Sequence, residues 1–283
     1  MTDIEKRYLD FCARLYALEY AVSLHANENR KRFIHLSFGH ELSAYLIAEE
    51  LRPEKWPFFL YYRSHAWALA LGVPMTTILK AVLGMNADDI PLNGGSMHLT
   101  LHNQILDCNS IVGAQIPISL GASMVTMCKG NRSSVVTVLG DGTTNTGVFF
   151  ESLNIVSLFK LPILFVVENN FKSIEIGYKN TSSISVKNKF QAFNIPVLEI
   201  DEAEEDMETI ISKVALAMKI AKSNSCALIF QMQRITDHNL SQPINLREII
   251  SANKYADLLA DRFDSYYEKL NSFLINHGIK SSN

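Results

Sequence analysis

Few cysteines, no purely apolar long run and no strong net charge limit what this 283-residue chain can be. Its cysteines, Cys12, Cys108, Cys128 and Cys226, form no Cys-x-x-Cys pair, which argues against a zinc or disulfide framework and for reduced thiols. The charge-free stretch 108–128 contains many polar and small residues, so it does not predict a membrane span. A net charge of −3 offers no basic surface for nucleic acid.

The sequence also shows no linker, no internal repeat and no leader-like segment. No Pro-, Gly- or Ser-rich linker divides the chain, so we expect one domain over residues 1–283. Residues 1–6 have neither the apolar core of a signal peptide nor the Arg-rich character of a transit peptide, which predicts a cytoplasmic protein. The hydrophobic fraction of 48% is typical of a globular protein.

The order of the predicted elements indicates an α/β fold. Apolar residues at helical spacing over 4–26 and 41–51 make the first part mostly helical. After Ser110, β-branched and apolar runs alternate with helical segments, which predicts a parallel sheet with helices on both faces. A helical tail is predicted over 245–279. The predicted strands are 135–139, 161–167, 196–200 and 227–232.

Polar residues follow two of these strands where each strand ends. Gly140-Asp141-Gly142 follows the strand 135–139, and Asn169-Asn170 follows the strand 161–167. Neighbouring parallel strands end at the same edge of a sheet, so the oxygens of Asp141 and of either Asn can converge there. Carboxylate and amide oxygens suit Mg²⁺ that also binds phosphate. We therefore predict a magnesium–diphosphate site at this edge.

Three other segments carry candidate binding residues. Gly142 and Thr143 would offer backbone N–H groups to a phosphate at a helix N-terminus. Arg63 follows an aromatic stretch in which a buried Arg needs an anion, either a diphosphate or the carboxylate of an ordinary ion pair. His238 lies in a loop after the strand 227–232, at the edge of the predicted magnesium site, with a surface imidazole as the alternative.

Five motifs follow one another along the chain. They are His35-Leu36 with Gly39–Glu41, then Tyr62–His65, Gly94–His98, Ile111–Pro117 and Gly140–Asn145. In this order and spacing, the chain resembles the alpha subunit of thiamine-diphosphate-dependent 2-oxo acid dehydrogenases, the first component of the pyruvate, branched-chain and acetoin enzymes. The resemblance implies the thiamine-diphosphate-binding fold, with thiamine diphosphate and Mg²⁺ as cofactors. It also implies a separate beta subunit, in an α₂β₂ assembly, that supplies the Glu that activates the cofactor.

The resemblance implies a role for each matched residue. Asp141, Asn170 and the backbone carbonyl of Lys172 would bind Mg²⁺, and His238 would assist proton transfer beside the cofactor. His65 is either catalytic or a histidine that orders its neighbours. The cofactor-binding set is then Tyr62, Arg63, Ser110, Val112, Asp141, Gly142, Thr143, Asn170 and His238.

Departures from the family pattern leave the substrate and acceptor open. Asn239 stands where mitochondrial enzymes carry a phosphorylated Ser, Gln242 replaces an Asp, and 91–93 replaces Gly-Lys-Gly. We expect cleavage of a 2-oxo acid or an acetoin-like hydroxyketone, with the acyl or aldehyde unit passed to a carrier such as a lipoyl acyltransferase. Two alternatives remain: a transketolase-like or non-oxidative decarboxylase half-enzyme, and a catalytically inactive regulatory subunit.

Overall fold

Helices and parallel strands alternate in the computed structural model, which describes residues 1–26, 33–85, 95–100, 103–130, 133–240, 244–251 and 256–279. Gly94, Gln242 and the segment 91–93, which the sequence argument used, lie outside the described residues. The helices are α1 (Asp3–Ala26), α2 (Glu41–Leu51), α3 (His65–Ala70), α4 (Met75–Leu83), α5 (Gln115–Cys128), α6 (Gly147–Phe159), α7 (Val186–Gln191), α8 (Met207–Ala221), α9 (Leu246–Ser251) and α10 (Ala256–Asn276). Short 3₁₀ helices span Asp141–Asn145 and Tyr178–Asn180. The strands are β1 (Phe58–Tyr61), β2 (Ile105–Asn109), β3 (Val135–Gly140), β4 (Ile163–Asn169), β5 (Lys172–Ser173), β6 (Ile176–Gly177), β7 (Val197–Asp201) and β8 (Cys226–Gln231).

Within the described residues, a six-stranded sheet has the order β2-β1-β3-β4-β8-β7. Every pair of neighbouring strands in it is parallel. All residues of the central strand β4 are buried, as expected when helices cover both faces of a sheet. The predicted α/β class with a parallel sheet is therefore confirmed.

Sequence reasoning did not predict β1 and β2. The four residues of β1 are all buried, so the strand shows no alternation that would distinguish it from the helical segments around it. In the sheet, β1 lies between β2 and β3, and its carboxyl end therefore points to the same edge as Asp141. This position matters for the residues that follow Tyr61.

The chain divides into two compact units, each assembled from separated segments. Unit 1 comprises Met1–Tyr45, Arg63–Leu101 and Arg234–Asn283, and unit 2 comprises Leu46–Tyr62 and His102–Gln233. The six-stranded sheet belongs wholly to unit 2. Because neither unit is one continuous stretch of chain, the single domain expected over residues 1–283 stays a prediction.

The helical tail packs inside unit 1. The ring of Tyr20 on α1 lies 5.9 Å from that of Phe263 and 5.2 Å from that of Tyr267 on α10, measured between centroids. The Tyr266 hydroxyl donates to an Asp10 carboxylate oxygen at 2.7 Å. α10 thus packs against α1, and the helical tail predicted over 245–279 is confirmed apart from 252–255, which lie outside the described residues. Of the helices described, none has the length and apolar character needed to cross a bilayer.

Candidate functional site

The ends of β3 and β4 bring the predicted metal ligands to one edge of the sheet in unit 2. Gly140 pairs with Glu168 in parallel register, so Asp141 and Asn169 each follow this pair directly. Asp141 opens a 3₁₀ helix and is only 2% exposed, while Asn170 is half-buried. The adjacency inferred from the apolar runs is confirmed. A carboxylate held at a strand end with so little solvent needs strong compensation for its charge.

The backbone after β4 turns sharply at the two asparagines. The side-chain oxygen of Asn169 accepts from the Phe171 amide at 3.2 Å, and that of Asn170 accepts from the Lys172 amide at 3.1 Å. Phe171 has a φ of 58°, in the left-handed region that costs a non-glycine residue energy. Such strained positions cluster at functional sites. Asn170 and the Lys172 peptide are therefore held in one tight turn.

Gly142 lies where the turn approaches the strand β5. A Cβ at position 142 would come within 2.5 Å of Ser173 Oγ, so a larger residue requires the Ser173 side chain to move. Thr143 beside it is buried, and the Thr144 hydroxyl donates to the Asp141 carbonyl at 2.7 Å. The turn that carries Asp141 is thus tightly packed and internally hydrogen-bonded.

Tyr62 extends from β1 toward the same edge. The hydroxyl of its neighbour Tyr61 donates to the fully buried carboxylate of Glu168 on β4. The rings of Tyr61 and Tyr62 meet edge to face with centroids 5.0 Å apart. Because β1 and β3 are adjacent and parallel, Tyr62 leaves the sheet beside the turn of Asp141. The strand that sequence reasoning missed is the one that positions this predicted cofactor residue.

The Ser110–Val112 segment follows β2 and is open to solvent. Val112 is 47% exposed and Ser110 is half-buried, so Val112 is not a core residue. Gly113 follows with a φ of +87°, and a Cβ there would lie 2.8 Å from Val148 Cγ1. The Gly113 position therefore requires glycine, and Val112 is left available for a ligand.

Arg63 is buried in unit 1 without an acidic partner in the part of the chain that is described. It is 2% exposed, and its guanidinium donates to the backbone carbonyls of Leu36 and His238, the latter at 3.3 Å. These neutral oxygens solvate the charge without cancelling it. No described acidic side chain forms the ordinary ion pair weighed from the sequence, and binding of a diphosphate by Arg63 stays a prediction.

The loop that carries His238 is anchored to the segment around Ile34. The Asn239 side chain accepts from the Ile34 amide at 2.8 Å, and the Leu240 amide donates to the Ile34 carbonyl at 2.8 Å. His35 Nδ1 lies 2.5 Å from the His238 carbonyl oxygen, and the two imidazole rings are 4.6 Å apart. Asn239, noted as a departure from the family pattern, therefore has a structural use here. His238 itself is half-buried.

His35 is a site residue that sequence reasoning quoted within a motif but gave no role. Burial lowers the pKa of His35 from 6.5 to about 3; the His238 carbonyl opposes this shift, and the Arg63 guanidinium adds to it. His35 is therefore neutral and donates its Nδ1 proton to the His238 carbonyl, so His35 itself adds no charge beside that neighbour. A neutral imidazole packed on His238 supports its ring position.

The depressed pKa of His35 predicts acid sensitivity. At His35 the unfolded chain takes up a proton near pH 6.5 and the folded chain only near 3. The contribution of neutral His35 to the free energy of unfolding is therefore present above pH 6.5 and lost as the pH falls toward 3. Between pH 7 and 5 the loss is about 2 kcal/mol. Urea unfolding at both pH values should show that His35→Asn, which cannot titrate, loses about that much less stability than the wild type. Equal losses in the two proteins would contradict the assignment.

His65 belongs to a buried polar network in unit 1. Its Nδ1 lies 2.9 Å from a Glu19 carboxylate oxygen, and its Nε2 lies 2.8 Å from Ser96 Oγ. His65 and Glu19 are fully buried, and Glu19 also accepts from the Ser37 amide at 2.8 Å. With both ring nitrogens engaged, His65 is better suited to ordering the Ser96 turn than to touching a substrate. Glu19 gave no sequence signal because it lies within a regular helix.

The residues at the sheet edge fit Mg²⁺ with a diphosphate better than a transition metal. Among the described residues, no three His, Cys, Asp or Glu side chains cluster as a metal site. Besides Glu168, whose carboxylate accepts from the Tyr61 hydroxyl, the edge offers the buried Asp141 carboxylate, an amide oxygen and a backbone carbonyl. Mg²⁺ takes such hard oxygens and completes its shell with phosphate and water oxygens.

Comparison with known proteins shows which family the chain matches. A family model described as "Dehydrogenase E1 component" matches residues 13–278. Pyruvate dehydrogenase E1 alpha subunits are similar to the chain: that of Zymomonas mobilis is 27% identical over 86% of this chain and 66% of its own length. That of Rickettsia typhi is 27% identical over 89% of this chain and 80% of its own length.

Solved structures agree on the fold. Transketolase from Leishmania mexicana superposes with a TM-score of 0.62 at 14% identity, covering 96% of this chain and 46% of its own. At this identity the likeness shows the fold alone. The chain spans just under two thirds of the Zymomonas relative and under half of the transketolase. Because the family model spans nearly the whole sequence, the chain belongs to the dehydrogenase E1 component family.

Proposed function

We propose that this chain is the alpha subunit of a thiamine-diphosphate- and Mg²⁺-dependent enzyme that cleaves a 2-oxo acid or an acetoin-like hydroxyketone. The observation that carries the proposal is the buried Asp141 carboxylate at the end of β3, beside the strand end that bears Asn169 and Asn170. The chain belongs to the dehydrogenase E1 component family, and this membership supports thiamine diphosphate as the cofactor bound at this edge. Cytoplasmic location stays part of the proposal.

Each residue has one task in this proposal. Asp141 and Asn170 bind Mg²⁺ through side-chain oxygens, and Lys172 binds it through its backbone carbonyl. Tyr62 binds phosphate oxygens together with the backbone at Gly142 and Thr143, and Arg63 binds an anionic oxygen. Ser110 and Val112 hold the aminopyrimidine ring. The bound cofactor supplies the electron sink for cleavage of the carbon–carbon bond, and the protein supplies binding and electrostatics.

His238 is the residue that we assign to proton transfer. Its backbone carbonyl is held by Arg63 and His35, so the loop position is fixed while the imidazole remains half-buried and reachable. An imidazole titrates close to neutral pH and suits both uptake and release of a proton. The neutral ring of His35 beside it adds no competing charge.

Replacement of His238 should separate catalysis from binding. In His238→Ala we expect turnover to fall by about 10²-fold or more, the scale of a lost acid–base group, with cofactor affinity changed by less than about tenfold. The measurement is kcat for the complex with its beta subunit, beside a calorimetric titration of the cofactor. An unchanged kcat would return His238 to the surface interpretation.

Two further components belong to the proposal. A beta subunit is expected because the curated relatives are alpha subunits of an E1 component. A lipoyl acyltransferase is one acceptor for the product. A decarboxylase or transketolase-like half-enzyme remains the second candidate, because the His238 loop carries Asn239 and other departures from the resembling enzymes.

Two measurements test the proposed function. Calorimetry with thiamine diphosphate, with and without Mg²⁺, should show binding that requires the cation, and an absence of binding would leave only the inactive regulatory alternative. Assay of the α–β complex with several 2-oxo acids and an artificial electron acceptor should show oxidation. Release of free aldehyde without reduction of the acceptor would instead support the decarboxylase alternative.

A further inference from the structure

A buried lysine lies against the turn that carries Asp141. Lys189 on α7 is 2% exposed, although lysine is rarely buried without a partner. Its ammonium donates to the Thr144 carbonyl at 3.1 Å, to the Thr144 hydroxyl at 3.0 Å and to the Asn145 side-chain oxygen. All of these acceptors belong to the 3₁₀ helix that starts at Asp141. The sequence gave no reason to distinguish this lysine from its neighbours.

The charge of Lys189 is solvated by neutral groups only. Over the described part of the chain it forms no ion pair, and two aromatic rings cover it: Tyr178, whose centroid lies 5.3 Å from Nζ, and Phe150 at 6.0 Å. Each ring face attracts a cation but does not cancel its charge. A positive charge therefore remains beneath the turn, where it raises the affinity for an anion bound on the turn.

A hydrogen-bond chain leads from Lys189 to Asp141. The ammonium donates to Thr144 Oγ1, so the Thr144 hydroxyl proton points away from it, and that hydroxyl donates to the Asp141 carbonyl at 2.7 Å. Lys189 thereby fixes the rotamer of Thr144 and, through it, the peptide that carries the Asp141 side chain. The same ammonium holds the carbonyl end of the turn at Thr144 and Asn145.

We propose that Lys189 is a positioning residue for the magnesium–diphosphate site: it holds the Asp141–Asn145 turn in its binding geometry and contributes positive charge beneath it. The inference rests on the proposed function of Asp141. Lys189 acts through Thr144 and through its charge, and it touches neither the cation nor the reacting atoms. Its effect belongs on cofactor and Mg²⁺ affinity. Removal of Lys189 relieves a buried charge but leaves three acceptors without their donor, so the stability of the cofactor-free protein is measured separately.

Lys189→Met tests this with nearly the same side-chain volume and no charge. We expect thiamine diphosphate affinity to fall by about tenfold or more, the loss that is typical when a residue supporting a metal ligand is removed. Half-saturation with the cofactor should then require correspondingly more Mg²⁺. Calorimetry at several Mg²⁺ concentrations, on the full chain with its beta subunit, gives both values. Urea unfolding of the cofactor-free chain shows whether Lys189→Met has only loosened the fold. Wild-type affinity in a folded Lys189→Met would overturn the proposal.

A matched control lies on the same helix. Lys187 has a side chain that is 43% exposed and pairs with Glu199 at 2.6 Å, so Lys187→Met should leave both affinities unchanged. If Lys189→Met does not fold, Thr144→Val carries the test, because it removes the hydroxyl link at constant volume. A wild-type Mg²⁺ requirement in Thr144→Val would then overturn the proposal. Failure of the wild type itself to bind the cofactor would overturn the proposed function instead.

Discussion

Asp141→Ala is expected to abolish Mg²⁺-dependent binding of thiamine diphosphate while the chain stays folded. Asp141 provides the only charged side-chain oxygen that we assign to the cation, and it is held at 2% exposure where β3 ends. Loss of residues that merely support metal ligands costs about 10–100-fold in affinity, so loss of the ligand itself should exceed about 100-fold. Removal of a buried carboxylate also removes its desolvation cost, so the fold should survive.

Calorimetry and circular dichroism on the variant separate these two expectations. Asp201→Ala is the matched control, because Asp201 also ends a strand of the same sheet but lies on β7, two strands beyond β4. The Asp201 side chain accepts from the Ala203 amide at 3.0 Å and has no assigned contact with the cofactor. Equal cofactor affinity in wild type and Asp141→Ala would refute the magnesium assignment. Loss of cofactor affinity in Asp201→Ala but not in Asp141→Ala would indicate that the site lies at the end of β7 instead.

The part of the site that follows β3 and β4 could be predicted because two local signals agreed. Each strand is a buried, mostly apolar run that contains several β-branched residues, and each ends directly in the polar residues of interest. Parallel pairing then placed both ends at one edge without any knowledge of side-chain contacts. The observed pairing of Gly140 with Glu168 is the register that this argument requires.

The remaining parts depend on contacts that local sequence does not encode. β1 is too short and too uniformly buried to show a period, so the placement of Tyr62 was not foreseen. Lys187 and Lys189 differ by two positions on one helix, yet one is exposed and the other buried. Glu19 lies 46 positions from His65, its partner in the buried network. Such pairings are fixed by tertiary packing alone.

The purified chain is expected not to accelerate exchange of the C2 proton of thiamine diphosphate. By resemblance to 2-oxo acid dehydrogenases, activation needs a carboxylate against the pyrimidine ring, and that Glu belongs to the beta subunit. Two glutamates of this chain lie near matched motifs. Glu41 accepts from the Gly39 amide at 2.9 Å, and burial raises its pKa, so it is committed to the structure of its own turn. Glu151 lies exposed on α6.

Proton exchange followed by NMR, with Mg²⁺ and with or without the beta subunit, is the direct measurement. Because the chain belongs to the dehydrogenase E1 component family and its curated relatives are alpha subunits, we expect exchange only with both subunits present. Asp141→Ala in the complex should stay inactive, which ties the effect to this site. Acceleration by the chain alone would show that it carries its own activating acid, and the requirement for a partner would be wrong.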